Sequence, residues 1–331
     1  LTSGLRKKFL NWKVLAGILL SAAGLYIGFR KFDGAAFMAS LRQTNLWLFL
    51  LAMALMVFTV FLRAWRWKYL IMPLKKIPMK HLFASEMICY FGNNVFPLRF
   101  GELLRCYALN QSTGLSSVSI FGTVVVERII DVITFFVIML ITIFVFPGLP
   151  EMIRHGGIIA VFIILLVGIL VYILEMKKTT IRKFVNQWTN KSKHGMKILD
   201  IFNRFRQGLT TLRKTPHLGM IALQSATIWS ICIFINWIVG VSLDTQFSLY
   251  EVLLIFFVTS AIISVPSAPG YVGTYHAGAI GILVFLGVEL SKAQAIAVIL
   301  HAVGFISLTS IGLLYFLRYS VRANGSEFEK G

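Results

Sequence analysis

Long apolar runs separated by short basic stretches make up most of the chain, and two of those runs are interrupted in the same way. Uninterrupted apolar segments occupy roughly 12–29, 46–64, 117–146, 157–175, 218–241 and 292–317. An α-helix needs about 20 apolar residues to cross a hydrocarbon core, so the pattern predicts six full membrane spans. Two further apolar regions, 81–112 and 250–287, carry breaks. The first break reads Asn93-Asn94-Val95-Phe96-Pro97-Leu98-Arg99-Phe100-Gly101-Glu102, and the second reads Val265-Pro266-Ser267-Ala268-Pro269-Gly270-Tyr271-Val272-Gly273-Thr274. In each, a Gly follows a Pro four residues later, and the pairs Pro97/Gly101 and Pro269/Gly273 are 172 residues apart. A helix broken in lipid leaves backbone groups without partners, so the break must be buried in protein or face a polar cavity. Interrupted segments at matching positions of two halves point to a transporter's substrate site.

The basic residues orient this pattern. Only 14% of the 331 residues are charged and 57% are hydrophobic, whereas a soluble domain carries about a quarter charged residues. The chain therefore reads as one integral α-helical membrane domain, 1–331. A net charge of +19 would by itself suggest nucleic acid as a partner. The placement of the charge argues otherwise. With the N-terminus in the cytoplasm, 24 of the 32 Lys and Arg fall in 1–13, 63–80, 176–217 and 318–331. Five fall outside (Arg30, Lys31, Arg42, Arg154 and Lys292) and three in the membrane (Arg99, Arg105 and Arg128). This is the positive-inside bias of a multi-pass protein of a prokaryotic cytoplasmic membrane, with both termini inside. Nucleic acid is excluded as a partner.

The bias holds only if 81–112 dips in from the cytoplasm and 250–287 dips in from outside. The expected fold is all-α: three spanning helices plus one re-entrant hairpin, twice, over 12–146 and 157–317. Each unit has an odd number of crossings, so the two are oppositely oriented about an axis in the membrane plane. Between them, 176–217 carries Ile198, Phe202, Phe205, Leu209 and Leu212 at helical spacing among basic residues, an amphipathic linker on the inner leaflet. Arg6, Lys7 and Lys8 before the apolar run Val14–Phe29 read as a retained signal-anchor. Cys89, Cys106 and Cys232 lie in apolar segments and read as buried thiols, with neither disulfide nor metal role.

Charge within the membrane is costly and marks function. Glu86, Arg99, Glu102 and Arg105 lie in the first interrupted region, and Glu127, Arg128 and Asp131 on the helix after it. A helix restarting at Pro97 would present unpaired N–H groups, with Arg99 as a forked donor in its first turn, a site for phosphate or carboxylate. Asn93 and Asn94 are suited to cap the broken ends or bind a headgroup. In the second region Ser267 would cap a restarted helix with Pro269 and Gly270 in its first turn, and Tyr271, Tyr275 and His276 supply polar tips. The bland alternative is a salt-bridge cluster that pins the hairpin. His276 and His301, each alone on an apolar helix, are more simply core residues than proton carriers.

The chain has no Walker-type phosphate loop, HExxH, CxxC or EF-hand pattern, and no Asp-x-Asp pair. No catalytic residue, metal or cofactor is assigned. The blocks NNVFPLRFGELLR, VVVERIIDV and SAPGYVGTYHAGA resemble those of the lysylphosphatidylglycerol synthase/flippase transmembrane family, over about residues 10–318. The resemblance implies an inverted-repeat fold with re-entrant helices and a lipid-facing cavity. By match to its motifs it carries over Pro97, Arg99, Gly101, Glu102, Arg105, Glu127, Arg128 and Asp131, and in the second block Pro269, Gly270 and Gly273. Members continue that block with Gly and Glu, where this chain has Thr274, Tyr275 and His276. In two-part members this region resembles a flippase for aminoacylated phosphatidylglycerol made by a cytoplasmic synthase domain, which has no counterpart in these residues. The expected function is a flippase for a phospholipid or polyprenyl phosphate, working by alternating access. Its partners would be membrane lipids, a separate lipid-modifying enzyme and a second copy of the chain. The alternatives are a membrane transferase with Glu102 or Glu127 as base, and a lipid-binding partner of a separate synthase.

Overall fold

The computed structural model describes residues 12–96, 99–145, 210–264 and 267–328, with isolated positions between 151 and 208. Among these residues the secondary structure is helical throughout: α1 (Trp12–Phe29), α2 (Gly34–Arg42), α3 (Leu46–Ile71), α4 (Met79–Val95), α5 (Gly101–Thr113), α6 (Ser117–Val145), a single turn at Thr211–Lys214, α7 (Leu218–Ser242), α8 (Leu249–Ser264), a 3-10 turn at Pro269–Tyr271, α9 (Thr274–Phe285) and α10 (Leu290–Phe328). The span expected at 157–175 and most of the linker at 176–217 lie outside the described residues, as do Pro97, Leu98, Val265 and Pro266.

Among the described residues four helices are long and apolar enough to cross a membrane: α3, α6, α7 and the Leu290–Tyr319 part of α10. Their outer faces are apolar and open, with Trp47 81% and Phe144 82% exposed, as lipid rather than water would require. The chain is a multi-pass membrane protein. α1 is a shorter apolar helix of 18 residues. The polar break after it is taken up by α2, whose N-terminus Asp33 caps by accepting from Ala35 N at 2.9 Å and Ala36 N at 3.1 Å.

One expected boundary is corrected. The span foreseen at 46–64 continues to Ile71, so Arg63 and Arg66, assigned to a cytoplasmic loop, lie within α3 and are buried. Val60, Arg63, Ala64, Trp67, Leu70 and Ile71 share the inward stripe, and the apolar run simply continues past the two charges.

The interrupted regions are helix pairs. α4 has 17 residues, α5 13, α8 16 and α9 12, and at 1.5 Å per residue each falls short of a hydrocarbon core about 30 Å thick. α4 packs along α5 and α8 along α9. Lys75, before α4, donates to the carbonyl of Thr113 at the end of α5 at 2.6 Å. Lys292, at the start of α10, donates to the carbonyl of Asp244 before α8 at 2.9 Å. The chain thus enters and leaves each pair at one end. α3 and α7 lie side by side and antiparallel: Asn45 N donates to the Ser242 carbonyl at 2.7 Å at one end, and the Tyr69 and His217 rings are 4.7 Å apart at the other.

Among the described residues two larger apolar clusters, with two smaller ones, hold the bundle. One joins Ile238, Val239, Ala279, Leu283, Ile296 and Val303 of α7, α9 and α10. The other joins Trp67, Leu70, Leu82, Leu109 and Ile120 of α3 to α6.

Candidate functional site

The first break sits where α4 and α5 touch backbone to backbone. A Cβ on Gly101 would lie 1.9 Å from the Cys89 carbonyl oxygen, so only Gly fits. Asn93 reaches across and accepts from Gly101 N at 3.0 Å, capping α5 from the neighbouring helix. Asn94 instead donates to Thr309 Oγ1 of α10 at 2.8 Å. Pro97 lies outside the described residues. Arg99 does not join the first turn of the restarted helix, which begins at Gly101. Its φ of +53° is left-handed and incompatible with an α-helical turn.

The second break mirrors this with different chemistry. Pro269–Tyr271 form a 3-10 turn with Gly270 at φ +67° and Tyr271 at +58°. These values stop a helix from running through, so α9 restarts at Thr274 rather than after Ser267. Gly273 is the N-cap, at φ +93°, and a Cβ there would lie 2.0 Å from the Ser21 carbonyl oxygen of α1. Ser21 Oγ accepts from Ala268 N at 3.0 Å, so α1 braces this break along its backbone. His276 Nδ1 takes the Gly273 N–H at 3.4 Å, while His301 Nε2 lies 2.7 Å from the Gly270 carbonyl and so carries the proton there. The two imidazoles are 4.7 Å apart, and Tyr275 is buried beside His301.

The two breaks meet. Arg99 Nη2 donates to the carbonyl of Ile263, near the C-terminus of α8, at 2.6 Å. Its guanidinium stands 5.9 Å over the Tyr271 ring. A helix C-terminus is an electronegative end, so Arg99 ties the first break to the carbonyl end of the second.

Beside the first break lies an ion network, drawn from α3, α4, α5 and α6. Arg105 contacts Glu127 at 2.5 Å and Glu86 at 3.0 Å. Arg66 contacts Asp131 at 2.7 Å, and Arg63 contacts it at 3.0 Å. Arg128 reaches Glu127 at 2.7 Å and Asp131 at 3.3 Å. Glu102 stands further off, 3.9 Å from Arg105 and 4.0 Å from Arg128. Four arginines and four carboxylates balance, which is what permits them to share a dry interior. Arg105 also stacks 4.1 Å from the Trp67 ring, whose Nε1 donates to Thr123 Oγ1 at 2.9 Å. Arg66 donates to Ser225 Oγ of α7 at 2.9 Å, carrying the network across to the second half.

Of the residues singled out in the sequence, Arg105, Glu127, Arg128, Asp131 and Glu102 converge in this network, and Asn93, Gly101 and Arg99 line the adjoining break. Pro269, Gly270, Tyr271, Gly273, Tyr275 and His276 form the opposite one. Arg63, Arg66 and Ser225 were missed. The signal that finds the arginines is the aromatic run around them, Trp65, Trp67 and Tyr69, which extends the span. Glu127, one of the two carboxylates weighed as a transferase base, is wholly buried among three guanidinium groups.

A family model described as "Lysylphosphatidylglycerol synthase TM region" matches residues 14–312. UPF0104 membrane protein MJ1595 of Methanocaldococcus jannaschii is 25% identical over 321 residues, covering 92% of this chain and 93% of its own. UPF0104 membrane protein MJ1078 of the same organism is 26% identical over 246 residues, covering 71% of this chain and 95% of its own. No solved structure matches.

Proposed function

This chain belongs to the lysylphosphatidylglycerol synthase transmembrane-region family, and on that premise we propose that it carries a lipid across the membrane by alternating access between two inverted halves. Family membership points to lipid metabolism or transport. The observation that selects transport is the meeting of the two helix breaks through Arg99, beside a charged network within membrane-spanning helices. Irregular backbone and charge at that depth are stable only in protein or against a polar cavity. Two such breaks in contact mark where a polar headgroup would pass from one half to the other.

The inverted repeat is supported by the order and pairing of elements. α7, α8, α9 and α10 begin 172, 170, 173 and 173 residues after α3, α4, α5 and α6. Packing follows the same exchange: α3 on α4 answers α7 on α8, α5 on α6 answers α9 on α10, and α4 on α10 answers α8 on α6. The antiparallel pairing of α3 and α7, which are matched helices, supports inversion. The two lysine contacts that close the helix pairs support re-entrant hairpins. In this reading α4–α5 opens to the cytoplasm, α8–α9 opens outside, and both termini are cytoplasmic. The substrate is a phospholipid or polyprenyl phosphate whose phosphate is taken by Arg99 and Arg128. A separate lipid-modifying enzyme would supply it.

The test is reconstitution of the purified protein into liposomes with fluorescent lipids, scored by bleaching of the outer leaflet. The proposal expects faster exchange between leaflets than in protein-free liposomes, and a large loss with Arg99→Ala. Equal rates in all three preparations would sink it.

A further inference from the structure

Glu102 is the odd member of the ion network. Glu86, Glu127 and Asp131 each accept a hydrogen bond from an arginine, at 3.2, 2.5 and 3.0 Å. Among the described residues Glu102 accepts none: its guanidinium neighbours stand at 3.9 and 4.0 Å, beyond hydrogen-bond length. Among the described residues Arg128 Nε, on the far side of that 4.0 Å gap, has no hydrogen-bond partner, and neither do the buried Arg66 Nε and Arg105 Nε. These two residues form the network's open edge, with side chains 40% exposed for Arg128 and 20% for Glu102, against 9% or less for the rest. Arg128 is the twelfth of the 29 residues of α6, about 17 Å along the helix and away from both its ends. Apolar side chains flank the edge: Leu103 and Tyr107 of α5 and Val132 of α6 are 51, 53 and 44% exposed. A polar edge among exposed apolar side chains fits an amphiphile, head at the charged edge and chains along the apolar residues.

The charge balance selects the head. Arg99 stands outside the network, held by the Ile263 carbonyl. The four arginines and four carboxylates are formally neutral, and at low dielectric a ligand of net charge among them would leave one charge uncompensated. A head with one phosphate and one ammonium leaves none. Building on the lipid-transport reading, we infer that Glu102 receives the ammonium group of a zwitterionic phospholipid whose phosphate rests on Arg128. Glu102 is then the specificity-determining residue, favouring an amine-bearing neutral head over an anionic one.

The inference is tested by binding, apart from transport. Purified protein is titrated with phosphatidylethanolamine, phosphatidylglycerol and N-acetylated phosphatidylethanolamine of matched chains, with retained lipid read by native mass spectrometry. Wild type should favour phosphatidylethanolamine over phosphatidylglycerol by about tenfold, the worth of one charge-assisted hydrogen bond. The N-acetylated lipid, stripped of its ammonium, should bind like phosphatidylglycerol. Glu102→Gln, which leaves one guanidinium in excess, should erase or reverse the preference, and Glu102→Asp restore part of it. No preference in wild type, or a preference for the anionic lipid, overturns the inference. So does equal binding of the acetylated lipid, an arm that needs no variant to fold. Displacement of bound lipid by glycerophosphoethanolamine at the same concentration would make the ligand a soluble head and overturn it too. Leaflet exchange is scored separately: a preference without lipid movement removes the transport reading alone, and movement without preference removes this one alone.

Discussion

At the scale of single residues, the network shows why intramembrane charge is tolerated and how brittle that tolerance is. Glu127 is wholly buried and contacts Arg66, Arg105 and Arg128. Removing its charge leaves guanidinium groups buried with too few partners, so Glu127→Gln should cost about 3–5 kcal/mol. The measurement is thermal unfolding in detergent, where the variant's midpoint should fall well below wild type. A midpoint within a degree of wild type would mean that the network is held together some other way. Much of it was legible in the sequence, because Glu102 and Arg105, and Glu127 and Asp131, recur at helical spacing in apolar surroundings. Arg63 and Arg66 were hidden for a physical reason. Cations at the end of a span look like the flanking charges that orient it, and only the continued aromatic run shows them to be inside. Arg99 was found, but its role was not. Its left-handed backbone and its bond to the Ile263 carbonyl depend on a tertiary contact 164 residues away.

The helices show how short elements are held where longer ones would be expected. α5 approaches α4 so closely at Gly101 that a Cβ would overlap the Cys89 carbonyl. Gly219, in the first turn of α7, has nothing within 4 Å of its Cβ position. Gly101→Ala should therefore sharply lower the yield and unfolding midpoint of the protein. Gly219→Ala should be neutral or stabilising by up to about 1 kcal/mol through helix propensity. Size-exclusion profiles and melting curves of the two compare them directly, and equal behaviour would mean that the α4–α5 contact is looser than it stands here. A second expectation belongs to the exposed start of α10. There Glu289 accepts from Ser291 N at 2.9 Å and Lys292 N at 3.0 Å, and these backbone donors hold its carboxyl below the usual range. A carboxyl depressed in the folded state stabilises above its unfolded pKa and loses that contribution as pH falls through the folded one. Amide exchange over the first turn of α10 should thus rise, relative to Glu289→Gln, as pH is lowered through the acid range. Parallel behaviour of the two proteins would remove Glu289 as the cap.

At the scale of the whole molecule, the 172-residue offset read from the two breaks pairs Arg99 with Tyr271, and these two residues touch. Residues exchanged by a two-fold axis are in contact only if both lie near it, so the breaks would meet on the axis of the proposed inverted repeat. On that proposal the same offset also shows how unlike the two halves are in charge. It takes Glu102, Arg105, Glu127, Arg128 and Asp131 onto Thr274, Ala277, Ile299, Leu300 and Val303, so the charge is confined to one half. Such asymmetry suits a transporter that grips a head from one side and yields at the other. For the proposed transport it also makes the topology decisive, because such a grip would have to face the leaflet from which lipid is taken. Single cysteines, placed in a background from which Cys89, Cys106 and Cys232 are removed, should report it in intact cells with a membrane-impermeant maleimide. Positions 76 and 318 should stay unlabelled until the cells are opened, while positions 42 and 289 should label from outside. Positions 76 and 115 flank the α4–α5 pair, and both must be cytoplasmic if that pair is re-entrant. Opposite labelling of 76 and 115 would make the pair a full crossing, reverse the sides of everything after it, and remove the inverted repeat on which alternating access rests.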